Sequence, residues 1–361
     1  MTTYAITLVL LSAIIHTAWS LLAKRSPKTA GFYTVAIAVG LAVYAPVCVP
    51  HIAANPAILR AWPLFVISGT LLSVYYVLMY RTYRSADISL AYPLLRVSPI
   101  FSTIWAVLLL HEELTTLALL GIVGTVAGCI ILPQRSLRPS RQIIRLGHYA
   151  NKTYAMAITA SLATSIYIVL DKLAMTRFNA AGGCRVAIDY VFLEMCVCGA
   201  GLAIYAAFSR EPEFRALTLA SLAPIIAIGP MLIGAYFLIV IAMAQPEVKA
   251  AYVSAFRLVS VVMTVIAGIL LLKERFGSVR IAAAIVIVAG LMMIALGSRK
   301  DEEEEGDDAL RKNHCSALVC SCPSSSHPLA SASPLPDWPL LTDWKGWREW
   351  TGSAGSSGKK N

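Results

Sequence analysis

A chain of 361 residues that is 58% hydrophobic and only 14% charged, with a mean hydropathy of +0.69, carries more apolar surface than one water-soluble core can hide. This excludes an ordinary soluble domain and calls for a lipid bilayer as partner. The formal charge of +10 is spread over loops and forms no stripe suited to nucleic acid, so its expected use is to orient the chain in the membrane.

A helix needs roughly 20 apolar residues to cross the hydrocarbon core. Ten such stretches are predicted, over residues 4–23, 31–50, 62–80, 88–110, 117–133, 153–170, 186–208, 219–244, 250–272 and 279–296. The first holds His16 and Trp19 and lacks the basic start and small-residue cleavage site of a signal peptide, so it reads as a membrane helix. At the end of the fourth stands Glu113, and Thr115 is suited to cap the fifth; Glu274 and Ser278 repeat this pattern between the ninth and tenth. The fifth contains "GTVAG" from Gly124 to Gly128, a GxxxG step that permits close helix approach, within the chain or in a dimer. Pro230 in the eighth predicts a bend. Five cysteines (Cys48, Cys129, Cys184, Cys196, Cys198) lie in or beside these stretches without metal-ligand spacing and read as small packing residues.

After Ser298 the sequence turns to "RKDEEEEGDD" and then to a Ser- and Pro-rich run, so residues 299–361 read as a polar, disordered tail. His314, Cys315, Cys320 and Cys322 are poorly spaced for a metal, and Trp344, Trp347 and Trp350 would suit an interfacial anchor. No P-loop, HExxH motif or nucleotide-binding domain is present, so neither a cofactor nor a built-in ATP motor is expected.

The rare residues of the two halves coincide. An offset of 161 brings Tyr75 onto Tyr236, Arg96 onto Arg257 and Glu113 onto Glu274; an offset of 148 brings Trp19 onto Tyr167 and Lys24 onto Lys172. A five-helix unit over residues 1–135 therefore recurs over 153–298, joined by a basic linker over 136–152. Because five is odd, the second unit enters the membrane from the opposite side. The expected fold is all-α and integral to the membrane, with ten transmembrane helices as two inverted five-helix repeats, an arrangement that suits alternating access to a site near the midplane.

"YPLLRVSPIF" followed by "LLLHEELT", "YVSAFRLVSVV" followed by "LLLKERFG", and "HTAWSLLAK" near the start resemble the EamA-type branch of the drug/metabolite transporter superfamily, over about residues 4 to 298. The resemblance implies ten helices and cargo bound between helices one, three, four, six, eight and nine. It also implies both termini in the cytoplasm, whereas the richer supply of Lys and Arg in the odd-numbered loops places those loops there instead. The two assignments of orientation disagree.

A charge at a bilayer centre costs roughly 2.5 to 3.5 kcal/mol on insertion scales, so two arginines in apolar stretches need a reason. Read in a continuous helix, Arg96 stands eight residues inside the fourth stretch, about 12 Å deep. Snorkelling or a structural ion pair would explain one such residue; a copy in each repeat favours a cavity, where a guanidinium binds a carboxylate or phosphate. Tyr92 shares the face of Arg96, and Ser254 stands one turn before Arg257. Tyr75, Tyr76, Tyr167 and Tyr236 offer aromatic walls with polar tips, and His16, Trp19 and Ser20 cluster near the end of helix one. Asp171 reads either as a cavity acid or as a helix-end partner of Lys172. Glu194, eight residues into helix seven, is a candidate for proton coupling because a buried carboxyl holds a proton at ordinary pH.

Together these readings predict a multi-pass protein of the cell membrane, here an inner membrane. It would move a small polar or amphipathic metabolite by alternating access, as a monomer or homodimer and without covalent chemistry. An integral-membrane enzyme such as a lipid transferase is the alternative, with "HEELT" its one faint candidate for a reactive loop.

Overall fold

The computed structural model describes residues 2–23, 30–85, 94–132, 152–178, 183–209, 219–272 and 278–319, and among these every regular element is helical. In chain order they are α1 (Thr3–Leu22), α2 (Ala30–Ala54), a short 3-10 helix (Pro56–Ala61), α3 (Trp62–Ser85), α4 (Ser98–Leu110), α5 (Thr116–Ile131), α6 (Lys152–Phe178), α7 (Gly183–Phe208), α8 (Leu219–Met243), α9 (Ala250–Phe256), α10 (Val259–Leu272) and α11 (Ser278–Val319). In lipid each backbone N–H and C=O must be satisfied within the protein, and a helix does this locally for every residue but those at its ends. Seven of the helices are long and apolar enough to cross a membrane, and Ser98–Leu110, Thr116–Ile131 and Ala250–Thr264 are shorter apolar stretches. Side chains such as Leu108, Ile204, Ile285 and Met292 stay exposed on the outside of the bundle, as expected where the solvent is hydrocarbon.

The chain folds into one unit over residues 1–308; of the second unit, from residue 309 onward, the described part is helical. Helix α11 runs to Val319, whereas composition suggests a disordered tail from residue 299. The Glu, Ala, Leu, Arg and Lys residues after Asp301 are strong helix formers as well as charges. Most of the basic linker lies outside the described residues, as do Glu274 and residues 320–361.

The continuous fourth and ninth helices expected from apolar length are corrected, since each is interrupted at its arginine. Leu94 and Leu95 are helical, Arg96 is a turn, and α4 begins at Ser98 with Pro99 next; α9 ends at Phe256, Arg257 and Leu258 form a turn, and α10 begins at Val259. Across both breaks the backbone bonds tighten from i−4 to i−3. Val97 N donates to Leu94 O (3.4 Å), and Leu258 N and Ser260 N donate to Ala255 O (3.0 Å) and Arg257 O (3.3 Å). Pro99 is at home in the first turn of a new helix, where its missing N–H costs nothing. The Leu94 carbonyl at the break also accepts from Ser161 Oγ of α6 (2.5 Å).

Contacts at the helix ends establish helix direction. The start of α1 meets the end of α8 through Thr2 Oγ1 to Gln245 Oε1 (2.5 Å), and the Lys172 Nζ of α6 donates to Met243 O (3.0 Å) and Gln245 O (2.9 Å). Glu112, just after α4, accepts from Ala250 N (2.6 Å) and Ala251 N (3.3 Å) at the start of α9. Helix α1 thus starts where α6 ends, and α4 ends where α9 starts.

Glycines decide how closely the helices meet. A Cβ on Gly69 of α3 would lie 2.5 Å from the Glu194 carbonyl oxygen and 2.8 Å from Val197 Cβ, so only glycine lets α7 approach here. The GxxxG helix α5 packs inside the chain: a Cβ on Gly121 would lie 2.6 Å from Gly290 O, and one on Gly128 would lie 2.6 Å from Ile287 Cγ1 of α11. Thr115 caps α5 as expected, accepting from Ala118 N (3.4 Å), while Ser278 is the first residue of α11. Pro224 and Pro230 lie within α8, and the Pro230 carbonyl accepts from Tyr44 OH (3.1 Å).

Candidate functional site

A cavity of about 410 Å³ lies between α1, α3, α6, α8 and the two helix breaks. Helix α1 contributes His16, Trp19 and Ser20, which the helical repeat places on one side, and the His16 and Trp19 rings meet edge to face at 4.8 Å. Tyr75 and Tyr76 enter from α3, their rings 5.4 Å apart, and Tyr33 at the start of α2 stacks against Tyr76 at 4.9 Å. Tyr33 is absent from the sequence-derived candidates because nothing distinguishes an aromatic at a helix start from an interfacial anchor.

Both arginines border this cavity. Arg257 Nη1 donates to Tyr167 OH (3.3 Å), and its guanidinium carbon lies 5.9 Å from the centre of the Tyr236 ring. The Tyr167 and Tyr236 rings stand edge to face at 6.2 Å, so two aromatic side chains hold the cation from α6 and α8. Ser254 also lines the cavity, and its hydroxyl, like the Trp19 indole N–H, is buried without a hydrogen-bond partner among the described residues. Polar groups in that condition cost free energy unless something fills the site. Tyr92 lies outside the described residues.

Asp171 does not border the cavity, and it does not close a helix. Helix α6 continues to Phe178, and Asp171, one turn past Tyr167, is fully buried. Its neighbour Lys172 points to the carbonyls at the end of α8. The Asp171 carboxyl accepts from Ser68 Oγ (2.7 Å), Tyr190 OH (3.2 Å) and Tyr236 OH. Glu194, also fully buried, lies in the same cluster, its Oε1 2.9 Å from Ser68 Oγ and 3.3 Å from Tyr236 OH. Tyr236 therefore spans two sites, its ring beneath Arg257 in the cavity and its hydroxyl on the acids behind. Ser68 gives no signal in the sequence. Tyr190, one turn before Glu194, shares its face and is recoverable from spacing alone. Asp189, by contrast, faces His51 Nδ1 (2.5 Å) and Arg185 Nε (3.7 Å) and ties α7 to α2.

Around Glu112, contacts close the end of the bundle at which α4 finishes and α9 begins. Lys249 Nζ donates to Glu113 O (2.5 Å), and a smaller cavity is bordered by His111, Glu112, Lys172 and Lys249. Burial raises the Glu112 carboxyl above the usual carboxylate range, against the pull of the two α9 backbone N–H groups and of Lys172 and Lys249. His111 takes the left-handed conformation (φ 53°) as the cap of α4, so "HEELT" makes a helix-capping turn.

A bundle whose described elements are all helical, with apolar flanks and a polar, aromatic-walled interior cavity, defines a multi-pass membrane protein. The family model of the EamA-like transporter family matches residues 3–133 and 151–296, and the chain belongs to that family of membrane transporters. A solved crystal structure superposes with a TM-score of 0.61 at 18% identity, over 84% of this chain and 100% of that one, and shares its fold. Among curated proteins, none matches the sequence.

Proposed function

We propose that the protein is a secondary carrier of the cell membrane that moves a small amphipathic metabolite with an anionic group by alternating access. The observation that carries this reading is the convergence of Arg96 and Arg257, one from each half, on a single cavity walled by tyrosines. A volume of about 410 Å³ belongs with the smaller ligand pockets and suits a metabolite. Guanidinium groups take a carboxylate or phosphate, and the aromatic walls take an apolar or planar remainder.

The seven long spans and the three shorter apolar helices make up the ten spans of two inverted repeats, with α9 and α10 as one broken span. The opposed directions of α1 and α6, and of α4 and α9, support that reading. Helix breaks at a shared site are the means by which carriers of this general kind expose half-helix ends to cargo. The Glu112 turn and its partners seal one end of the bundle, and alternating access requires that seal to open. One chain builds the whole cavity, so a monomer suffices. A lipid transferase is disfavoured because "HEELT" serves as a helix cap.

Purified protein in liposomes, offered a panel of radiolabelled small carboxylates, amino acids and phosphate esters, tests the reading. At least one class is expected to enter faster than into protein-free liposomes. Uptake of none of them, by protein shown to be folded, would reject it.

A further inference from the structure

Behind the cavity, five hydroxyl-to-carboxyl contacts converge on two acids, and the hydroxyls have three protons to offer. Ser68 lies within reach of Asp171 Oδ1 (2.7 Å) and Glu194 Oε1 (2.9 Å), Tyr190 of Asp171 Oδ1 (3.2 Å), and Tyr236 of both Asp171 Oδ2 and Glu194 Oε1 (3.3 Å). If both acids were ionised, Glu194 would compete with Asp171 for the same two protons, of Ser68 and Tyr236, and in each case Asp171 is nearer. Glu194 Oε2 has no hydrogen-bond partner among the described residues, and the residue is 0% exposed. An ionised Glu194 would then be a buried charge with neither oxygen securely bonded, beside a second carboxylate. Such a state is strongly disfavoured.

One additional proton resolves the count. Placed on Glu194 Oε1, it donates to the hydroxyl oxygen of Ser68 or Tyr236, while those hydroxyls donate to an ionised Asp171. Oε2 becomes a neutral carbonyl, which is far cheaper to leave without a partner. We infer that Asp171 and Glu194 form a one-proton site that couples transport to a proton, a conclusion that rests on the carrier reading above.

The groups facing the pair among the described residues are Ser68 from α3, Tyr167 from α6, Tyr190 and Cys198 from α7, Tyr236 from α8 and Arg257 at the α9–α10 break. Arg257 is the cation whose field reaches both acids. With the proton bound, the pair holds a single negative charge, which leaves Arg257 available to an anionic cargo group. Release breaks the Glu194 Oε1–H bond and passes the proton to water. The pair then holds two charges, Tyr236 can donate to only one of them, and Arg257 is drawn toward the acids and away from cargo. Proton and anionic cargo therefore bind together and travel in the same direction.

Infrared difference spectroscopy of the full chain in phosphatidylcholine nanodiscs reads the proton directly. At neutral pH one buried carboxylic-acid C=O band from the pair, shifted by deuterium exchange, is expected in the wild type and in Glu112→Gln and absent in Glu194→Gln, whose amide donates in place of the lost proton. With any Glu112 band assigned by its loss in Glu112→Gln, no band lost in Glu194→Gln, or a further band lost in Asp171→Asn alone, would each overturn the one-proton site. These outcomes do not depend on transport, so they leave the carrier reading standing. In proteoliposomes carrying the same radiolabelled panel, an imposed pH gradient is expected to drive accumulation into the alkaline compartment above that in protein-free vesicles, and Glu194→Gln should abolish the response. Indifference of wild-type uptake to the gradient, or accumulation on the acidic side, would overturn the coupling even with the band present. Uptake of nothing would instead reject the carrier.

Discussion

Arg96 and Arg257, 161 positions apart, stand at matching interruptions of two helices and border one cavity. An arginine in an unbroken membrane helix has only its own length with which to reach polar surroundings. At a break the neighbouring backbone carbonyls are partly released, and a polar pocket forms where the charge sits. The Leu94 carbonyl shows the principle, accepting both Val97 N and Ser161 Oγ. Two charged residues are thus placed in a bilayer at tolerable cost and face a common space.

Replacing either arginine by alanine is expected to leave membrane insertion and folding near normal and to remove most uptake in proteoliposomes. Lysine should restore part of it, since it keeps the charge and loses the planar fork. Normal uptake by the alanine variants would make the arginines scaffold, and failure to fold would make them structural. Size-exclusion profiles alongside the uptake assay separate these results.

Gly69→Ala should destabilise the protein by about 1 to 3 kcal/mol, the usual cost of overpacking a fitted contact. The added Cβ meets the Glu194 backbone oxygen at 2.5 Å and must push α7 away from α3. Thermal unfolding in detergent would register a lower midpoint. An unchanged midpoint would mean that α3 and α7 do not meet this closely.

Glu112 gives a pH signature. Its folded-state carboxyl is raised by burial, so its contribution to stability relative to a non-titrating residue is fully present below the ordinary carboxylate range and is lost as pH rises through the raised value. The unfolding midpoint of the wild type minus that of Glu112→Gln should therefore fall with increasing pH across that window. A difference that rises instead would show that the N–H groups of Ala250 and Ala251 and the nearby lysines outweigh burial.

Single cysteines at Ser26, which follows α1 in the sequence, and at Thr176, exposed in the last turn of α6, are expected to react with a membrane-impermeant maleimide from opposite faces. Reaction of both from one side would reject the inverted repeat. The side on which Ser26 reacts also decides between the loop-charge and family assignments of orientation.

The sequence alone determined the bilayer, the helical class, the recurrence of Arg96 and Arg257 and most of the aromatic and charged residues that border the cavity. Composition and rare-residue spacing are one-dimensional properties, and a membrane span imposes them along the chain. The breaks at Arg96 and Arg257 were hidden because an apolar run looks the same whether its helix is continuous or interrupted, even with Pro99 in view. Helices that are apolar on all sides carry no stripe that tells inward from outward. Asp171 could thus read as a helix-end partner of Lys172, when α6 turns it instead toward Ser68, Tyr190 and Tyr236. Only tertiary structure decided that Asp171 and Glu194 meet, because their meeting depends on lateral packing of α3, α6, α7 and α8, made possible by the missing side chain of Gly69.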